Sequence, residues 1–144
     1  MLVTTVIEIS KGSHAKFEWK NGGFKLSRFT QRPYPAAYGF IPGTLSEDGD
    51  PLDVLVLSSG PLSIADALKT RPIAVLRMVD HGYKDNKVLA VVPDDPSFAG
   101  FLDLPDVPGS FLAHVTTFYT EMGKTLHGWG GRTEAEGVIR SLAT

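Results

Sequence analysis

With 144 residues, 42% of them hydrophobic and 21% charged, the chain has room for one domain, residues 1–144, with a single core and an ordinary polar surface. A net charge of −2 offers no footprint for nucleic acid or an anionic membrane, and the absence of cysteine excludes disulfides, thiolate metal sites and a cysteine nucleophile. The opening "MLVTTVIEIS" meets Glu8 too soon for a secretory signal, and no apolar run nears the roughly 18 residues of a spanning helix, so a cytoplasmic protein is expected.

Ten prolines and fifteen glycines cut the chain into short pieces that read mostly as strands. "LVTTVIEI" (Leu2 to Ile9) is β-branched and partly alternating. "AKFEWK" (Ala15 to Lys20) and "GFKLSRF" (Gly23 to Phe29) flank Asn21-Gly22, a hairpin turn dipeptide. On the first of these, Lys16 and Glu18 are expected on one face, with Phe17 and Trp19 on the other. "DVLVL" (Asp53 to Leu57), "RPIAVLRMVD" (Arg71 to Asp80) and "KVLAVVP" (Lys87 to Pro93) are apolar enough for interior strands. Helical signals come late. "SFLAHVTTFYTEM" (Ser110 to Met122) opens at a capping serine and stops at Gly123, and "TEAEGVIRSLAT" opens with Thr133 and Glu136 in a capping-box relation. Strands first and helices last predict an α+β protein, mainly β, built as a small closed or partly open barrel with helices outside.

Two acidic groupings sit at the mouths of strands. "EDGDPLDVLVL" crowds Asp48, Asp50 and Asp53 together, where two carboxylates about 6 Å apart repel by roughly 0.7 kcal/mol in water and more in a protein. A calcium loop does not fit, because its sixth position is Asp53 rather than glycine and its twelfth is Ser59 rather than glutamate. "DHGYKDNK" places Asp80 and Asp85 at the two ends of a four-residue connection, so a hairpin would bring them together. On spacing alone two solvated turns and a hard-cation site such as Mg²⁺ both stay open. Lys16, Arg28, Lys87, Tyr34 and Tyr38 fall on or beside the same segments, an inventory suited to phosphate oxygens. The four histidines show no ligand spacing and read as surface or helix residues.

In this setting "YPAAYGFIPGTLSEDGDPLDVLVL" (Tyr34 to Leu57), "VIEI", "KFEW", "LSRF", "VLRMVD", "DNKVLAV" and "FY" together resemble the soluble family I inorganic pyrophosphatases. The matches run in family order from Glu8 to Tyr119. The resemblance implies a five-stranded OB-like barrel with flanking helices and Mg²⁺-dependent hydrolysis of pyrophosphate, with several ions per site. It also implies that Asp48, Asp53, Asp80 and Asp85 bind Mg²⁺, with Glu8 near a substrate-bound ion, and that Asp50 orients or deprotonates the attacking water. Lys16, Arg28, Lys87, Tyr38 and Tyr119 would hold the phosphates, with Glu18 and Tyr34 in support. A homo-oligomer is implied too, the hexamer being typical of bacterial members. The chain departs from the family at three places. Thr120 stands where a phosphate-contacting lysine is usual, with Lys124 one turn on as a candidate substitute; "SIADALKT" replaces a Pro-Gly turn; and "MGKTLHGWGG" is a shortened connection. Two rivals are a nucleic-acid-binding OB module, which would want a basic face with stacking aromatics, and a phosphohydrolase of other specificity or a degenerate pyrophosphatase.

Overall fold

The structure, a computed structural model describing residues 1–144, runs β1 (Val3–Ile9), β2 (Ala15–Lys20), β3 (Gly23–Phe29), β4 (Ala37–Ile41), β5 (Leu52–Leu57), β6 (Ala67–Asp80), β7 (Tyr83–Lys84), β8 (Lys87–Val91), a 3₁₀ turn at Leu104–Asp106, α1 (Gly109–Glu121), β9 (Thr125–Gly131) and α2 (Arg132–Leu142). Five strands close a ring in the order β1–β4–β5–β8–β6 and back to β1. Only β5 and β8 run parallel; every other pair is antiparallel. Closure rests on the length of β6, whose Ala67–Thr70 pairs with β1, Arg71–Leu76 with β8, and Ala74–Val79 with β9. This is the expected five-stranded OB-like barrel, its ring leaving no exposed edge. No helix is long and apolar enough to cross a membrane.

Alternation along the strands sorts the apolar side chains into two layers. On β5, Leu55 and Leu57 enter one layer and Leu52, Val54 and Val56 the other; on β8, Leu89 and Val91 face Val88 and Ala90 across the sheet. Helix α1 covers the first layer with Val115, Phe118 and Tyr119, and α2 covers the second with Ala135 and Ile139. Each fully buried Leu or Ile here contributes roughly 1.5–3 kcal/mol by leaving water.

The hairpin at Asn21-Gly22 forms as expected, both residues at positive φ (+53° and +78°). It makes a separate two-stranded ribbon outside the barrel. Phe17 and Trp19 therefore gain no apolar layer behind them, and Trp19 stays 46% exposed. Three strands escape the sequence reading. β4 is buried at all five positions and shows no alternation; β7 is two residues long; and β9 is glycine-rich. β7 makes the Asp80–Asp85 connection tighter than a four-residue hairpin, because Asp80 pairs with Tyr83 across His81-Gly82.

Both helix starts differ from expectation. α1 begins at Gly109 behind Pro108, whose carbonyl accepts from Phe111 and Leu112 at 3.0 and 3.2 Å, and no side chain caps it, so Ser110 is not the cap. Thr133 and Glu136 form no capping box, since α2 begins at Arg132. Its first N–H donates instead to Asp103 Oδ1 at 2.9 Å, from the turn before α1. In "SIADALKT", Ala65 takes φ +75°, a region that favours glycine. Two hydrogen bonds hold it there, Ala65 N–H to Ile7 O at 2.8 Å and Ile7 N–H to Asp66 O at 2.9 Å.

Gly39 of β4 carries a close backbone approach, since a Cβ there would lie 2.0 Å from the Val6 carbonyl oxygen. Backbone on both sides leaves nothing flexible to give way. Gly39→Ala is therefore expected to break the β1–β4 pairing at a cost of at least about 2–3 kcal/mol, read as a lower urea midpoint; an unchanged midpoint would refute this account of how the ring closes.

Candidate active site

Register builds the centre of the site. Phe40 of β4, Asp53 of β5 and Lys87 of β8 are neighbours across three strands. Register partners in a sheet share a face, so Lys87 Nζ reaches Asp53 Oδ2 at 2.5 Å. The same ammonium donates to Asp85 Oδ1 at 3.0 Å and to Tyr38 Oη at 3.3 Å. It also lies 5.6 and 5.9 Å from the ring centres of Tyr38 and Tyr119. Its side chain is only 4% exposed. Burial opposes its charge, but Asp53 first, then Tyr119 and Asp85, outweigh that and raise its pKa, so Lys87 stays an ammonium.

The other carboxylates arrive by turns and bulges. A register slip between Ile7 and Ile9 leaves Glu8 as the extra residue of a bulge and aims it inward. Its Oε2 accepts from Trp19 N–H at 2.9 Å, tying the ribbon to the barrel. Burial pushes the Glu8 pKa up to about 7 despite that bond, helped by Asp53 and Glu18. Asp48 and Asp50 occupy a turn in which Asp50 N–H donates to Asp48 Oδ1 at 3.0 Å and Gly49 takes φ +89°. The turn and the site are thus one object: the turn presents both carboxylates. Asp50 is raised by its burial, then by Asp48 and Asp53. Asp80 closes the β6–β7 hairpin, while Asp85 N–H returns to Met78 O at 2.8 Å. Burial lifts Asp85 to about 6 against the pull of Lys87. Asp80 is held low, chiefly by its hydrogen bond from Lys124.

From the ribbon come Lys16 and Arg28, which are cross-strand partners, and Glu18, whose Oε1 lies 3.6 Å from Lys16 Nζ. Tyr34 and Tyr38 pack 5.3 Å apart, and burial lifts Tyr34 to about 12. Tyr119 of α1 is 2% exposed, and its hydroxyl has no hydrogen-bond partner.

All thirteen residues singled out from the sequence line one cleft of about 280 Å³. Two further cations line it. Lys20, at the ribbon tip, pairs with Glu18 Oε2 at 3.1 Å, and Lys124 Nζ pairs with Asp80 Oδ2 at 2.8 Å. Thr120 is exposed and outside the lining, so the lysine that enters the cleft from this end of α1 is Lys124. Lys20 carried only a spacing signal, two residues beyond Glu18. The four histidines are exposed.

The lining holds seven carboxylates against five cations. That excess, with Glu8 and Asp85 raised, suits a hard divalent cation chemically, since every donor is a carboxylate oxygen. It does not suit a nucleic-acid groove, which would be basic. No three acidic or histidine side chains form a ready-made cation cage; Lys87 and Lys124 stand against three of the carboxylates instead.

Residues 5–144 match the family model for inorganic pyrophosphatase. The chain is similar to the "Inorganic pyrophosphatase" of Sulfolobus acidocaldarius, 41% identical over 96% of this chain and 88% of that one. It is also similar to the "Inorganic pyrophosphatase" of Leifsonia xyli, 41% identical over 94% of this chain and 90% of that one. The fold matches the crystal structure of inorganic pyrophosphatase from Thermus thermophilus with a TM-score of 0.91 and 36% identity, covering 98% of this chain and 88% of that one.

Glu8 makes a testable pH prediction for the chelated, cation-free protein. Its folded pKa of about 7 exceeds the ordinary 4.5, so its contribution to stability is complete below pH 4.5 and is lost as pH rises through 7. Glu8→Gln keeps an oxygen for Trp19 N–H and carries no charge. In EDTA it is expected to stabilise the protein by about 1–3 kcal/mol at pH 8 and by far less at pH 5. Urea unfolding at both pH values checks this, and an equal gap at the two would refute it.

Proposed function

The chain belongs to the inorganic pyrophosphatase family, hydrolases acting on pyrophosphate, and from that premise we propose that its cleft hydrolyses pyrophosphate to two orthophosphates in an Mg²⁺-dependent reaction. The observation that carries the reading is the convergence of seven carboxylates, five cations and three tyrosines on one small cleft.

Asp48, Asp53, Asp80 and Asp85 are the residues that would hold Mg²⁺, with Glu8 close to an ion that enters with the substrate. When bound, Mg²⁺ supplies neutralisation of the polyanion and acidification of water. Asp50 points from its turn at the cleft mouth and takes the role of base. Its pKa, raised first by burial and then by Asp48 and Asp53, makes it a better proton acceptor than an ordinary aspartate. Attack of the water oxygen on one phosphorus breaks the bridging P–O bond; the water proton passes to Asp50 and the bridging oxygen leaves with the second phosphate.

Lys16 and Arg28 face the substrate from the ribbon, and Lys87 from the barrel. Because Tyr38 Oη accepts from Lys87, its own proton remains free to donate to a phosphate oxygen. The buried, unpartnered Tyr119 hydroxyl is a second donor that a phosphate oxygen would satisfy. Glu18 holds Lys16 and Lys20 in place, and Tyr34 packs behind Tyr38. Positioning and electrostatics suffice, because phosphoryl transfer asks little covalent chemistry of the protein. The homo-oligomer implied by the resemblance is part of the same proposal, checked by sedimentation.

The purified protein is expected to release phosphate from pyrophosphate only with a divalent cation, Mg²⁺ best; no release in millimolar Mg²⁺ would end the proposal. Asp50→Asn should lower kcat by about 10²-fold or more while changing Mg²⁺ affinity far less than Asp53→Asn. Near-normal turnover of Asp50→Asn at saturating Mg²⁺ would show the roles to be divided otherwise.

A further inference from the structure

We propose that Lys124 is an internal stand-in for the divalent cation at Asp80: its ammonium neutralises that carboxylate in the cation-free cleft, and a bound cation displaces it towards the substrate. The inference rests on the reading of Asp80 as a cation ligand.

The end of α1 fixes the direction of Lys124. Gly123 takes φ +81°, its N–H donates to Thr120 O at 3.0 Å, and Lys124 N–H donates to Tyr119 O at 3.2 Å. That pair of bonds turns the chain back over the last helical turn, as in a Schellman motif. Lys124 is thereby returned to the level of Tyr119, which lines the cleft, rather than continuing outward on the helix face. From there Nζ meets Asp80 Oδ2 at 2.8 Å, with the lysine side chain 15% and the aspartate 26% exposed.

One carboxylate cannot serve both partners fully. A divalent ion on Asp80 would bring two like charges close together in a partly dehydrated cleft, and repulsion there is much less screened than in bulk water. The other basic group on Asp80, His81 Nδ1 at 3.0 Å, is 86% exposed and free to swing away. Lys87 also pairs with carboxylates but is 4% exposed and fixed between Asp53 and Asp85. Lys124, on a flexible stem at the cleft wall, is the cation able to leave. Once released it remains within reach of the cleft, where a phosphate oxygen is its natural acceptor.

Isothermal titration with Mg²⁺ alone, no substrate present, measures the exchange in the wild-type protein, Lys124→Met, Lys124→Gln, Lys124→Arg and Asp80→Asn, each shown folded by circular dichroism. Lys124→Met and Lys124→Gln are expected to bind Mg²⁺ about tenfold more tightly than wild type, because a competing charge-assisted hydrogen bond is gone. Lys124→Arg should bind as wild type does. The same two neutral variants should raise KM for pyrophosphate more than they lower kcat. Unchanged or weaker Mg²⁺ binding in both, with Asp80→Asn still impaired, overturns the inference and leaves the proposed function standing. If Asp80→Asn binds Mg²⁺ as well as wild type, Asp80 is no ligand, and that reading falls together with the inference.

Discussion

Lys87 carries its charge at a position where almost no water reaches it, and the rest of the site is arranged around that fact. An uncompensated buried ammonium would cost several kcal/mol, so Asp53 and Asp85 must both stand beside it. Asp53 can do so only because β5 and β8 lie parallel with Asp53 opposite Lys87. A slip of one residue would turn Asp53 into the apolar layer held by Val54 and Val56. The charge network therefore pins the register of the two central strands, and Tyr38 and Tyr119 close over it.

Pairing is nonetheless incomplete, and the proposed function makes use of the incompleteness. Carboxylates outnumber cations in the cleft, and the pKa values of Glu8 and Asp85 are raised there, first by burial and then by neighbouring carboxylates. A structural core would replace such groups with apolar ones; the proposed function, which needs a cleft for cations and a polyanion, accounts for their presence. Three of the five cations come from a different body, the β2–β3 ribbon, which stands outside the ring and carries Lys16, Lys20 and Arg28. Glu8 joins the two bodies, since the bulge that aims it into the cleft also lets it accept from Trp19 N–H. One carboxylate thus couples barrel geometry to the placement of the ribbon's cations beside the cleft.

Local chemistry determined much of this from sequence. Asn21-Gly22 turns because both residues tolerate positive φ, and "DVLVL" and "KVLAV" are interior strands because every residue after the leading Asp53 and Lys87 is apolar. All thirteen candidate residues, selected from the family resemblance, line one cleft. Where the reading failed, the deciding partner was distant in sequence. β4 is covered on both faces, so it has no alternation to see, and Gly39 makes sense only beside the Val6 carbonyl. The first N–H of α2 is satisfied by Asp103 from across the structure, so no residue near Thr133 in the chain signals the cap. The pairing of Asp53 with Lys87 needed the register of two strands far apart in the chain, and Lys124 entered the cleft only because Gly123 folded it back over Tyr119. Sequence sets which groups are available and which short segments turn or extend, because those depend on neighbouring residues; tertiary structure decides which charges face one another, because that depends on register and chain reversal.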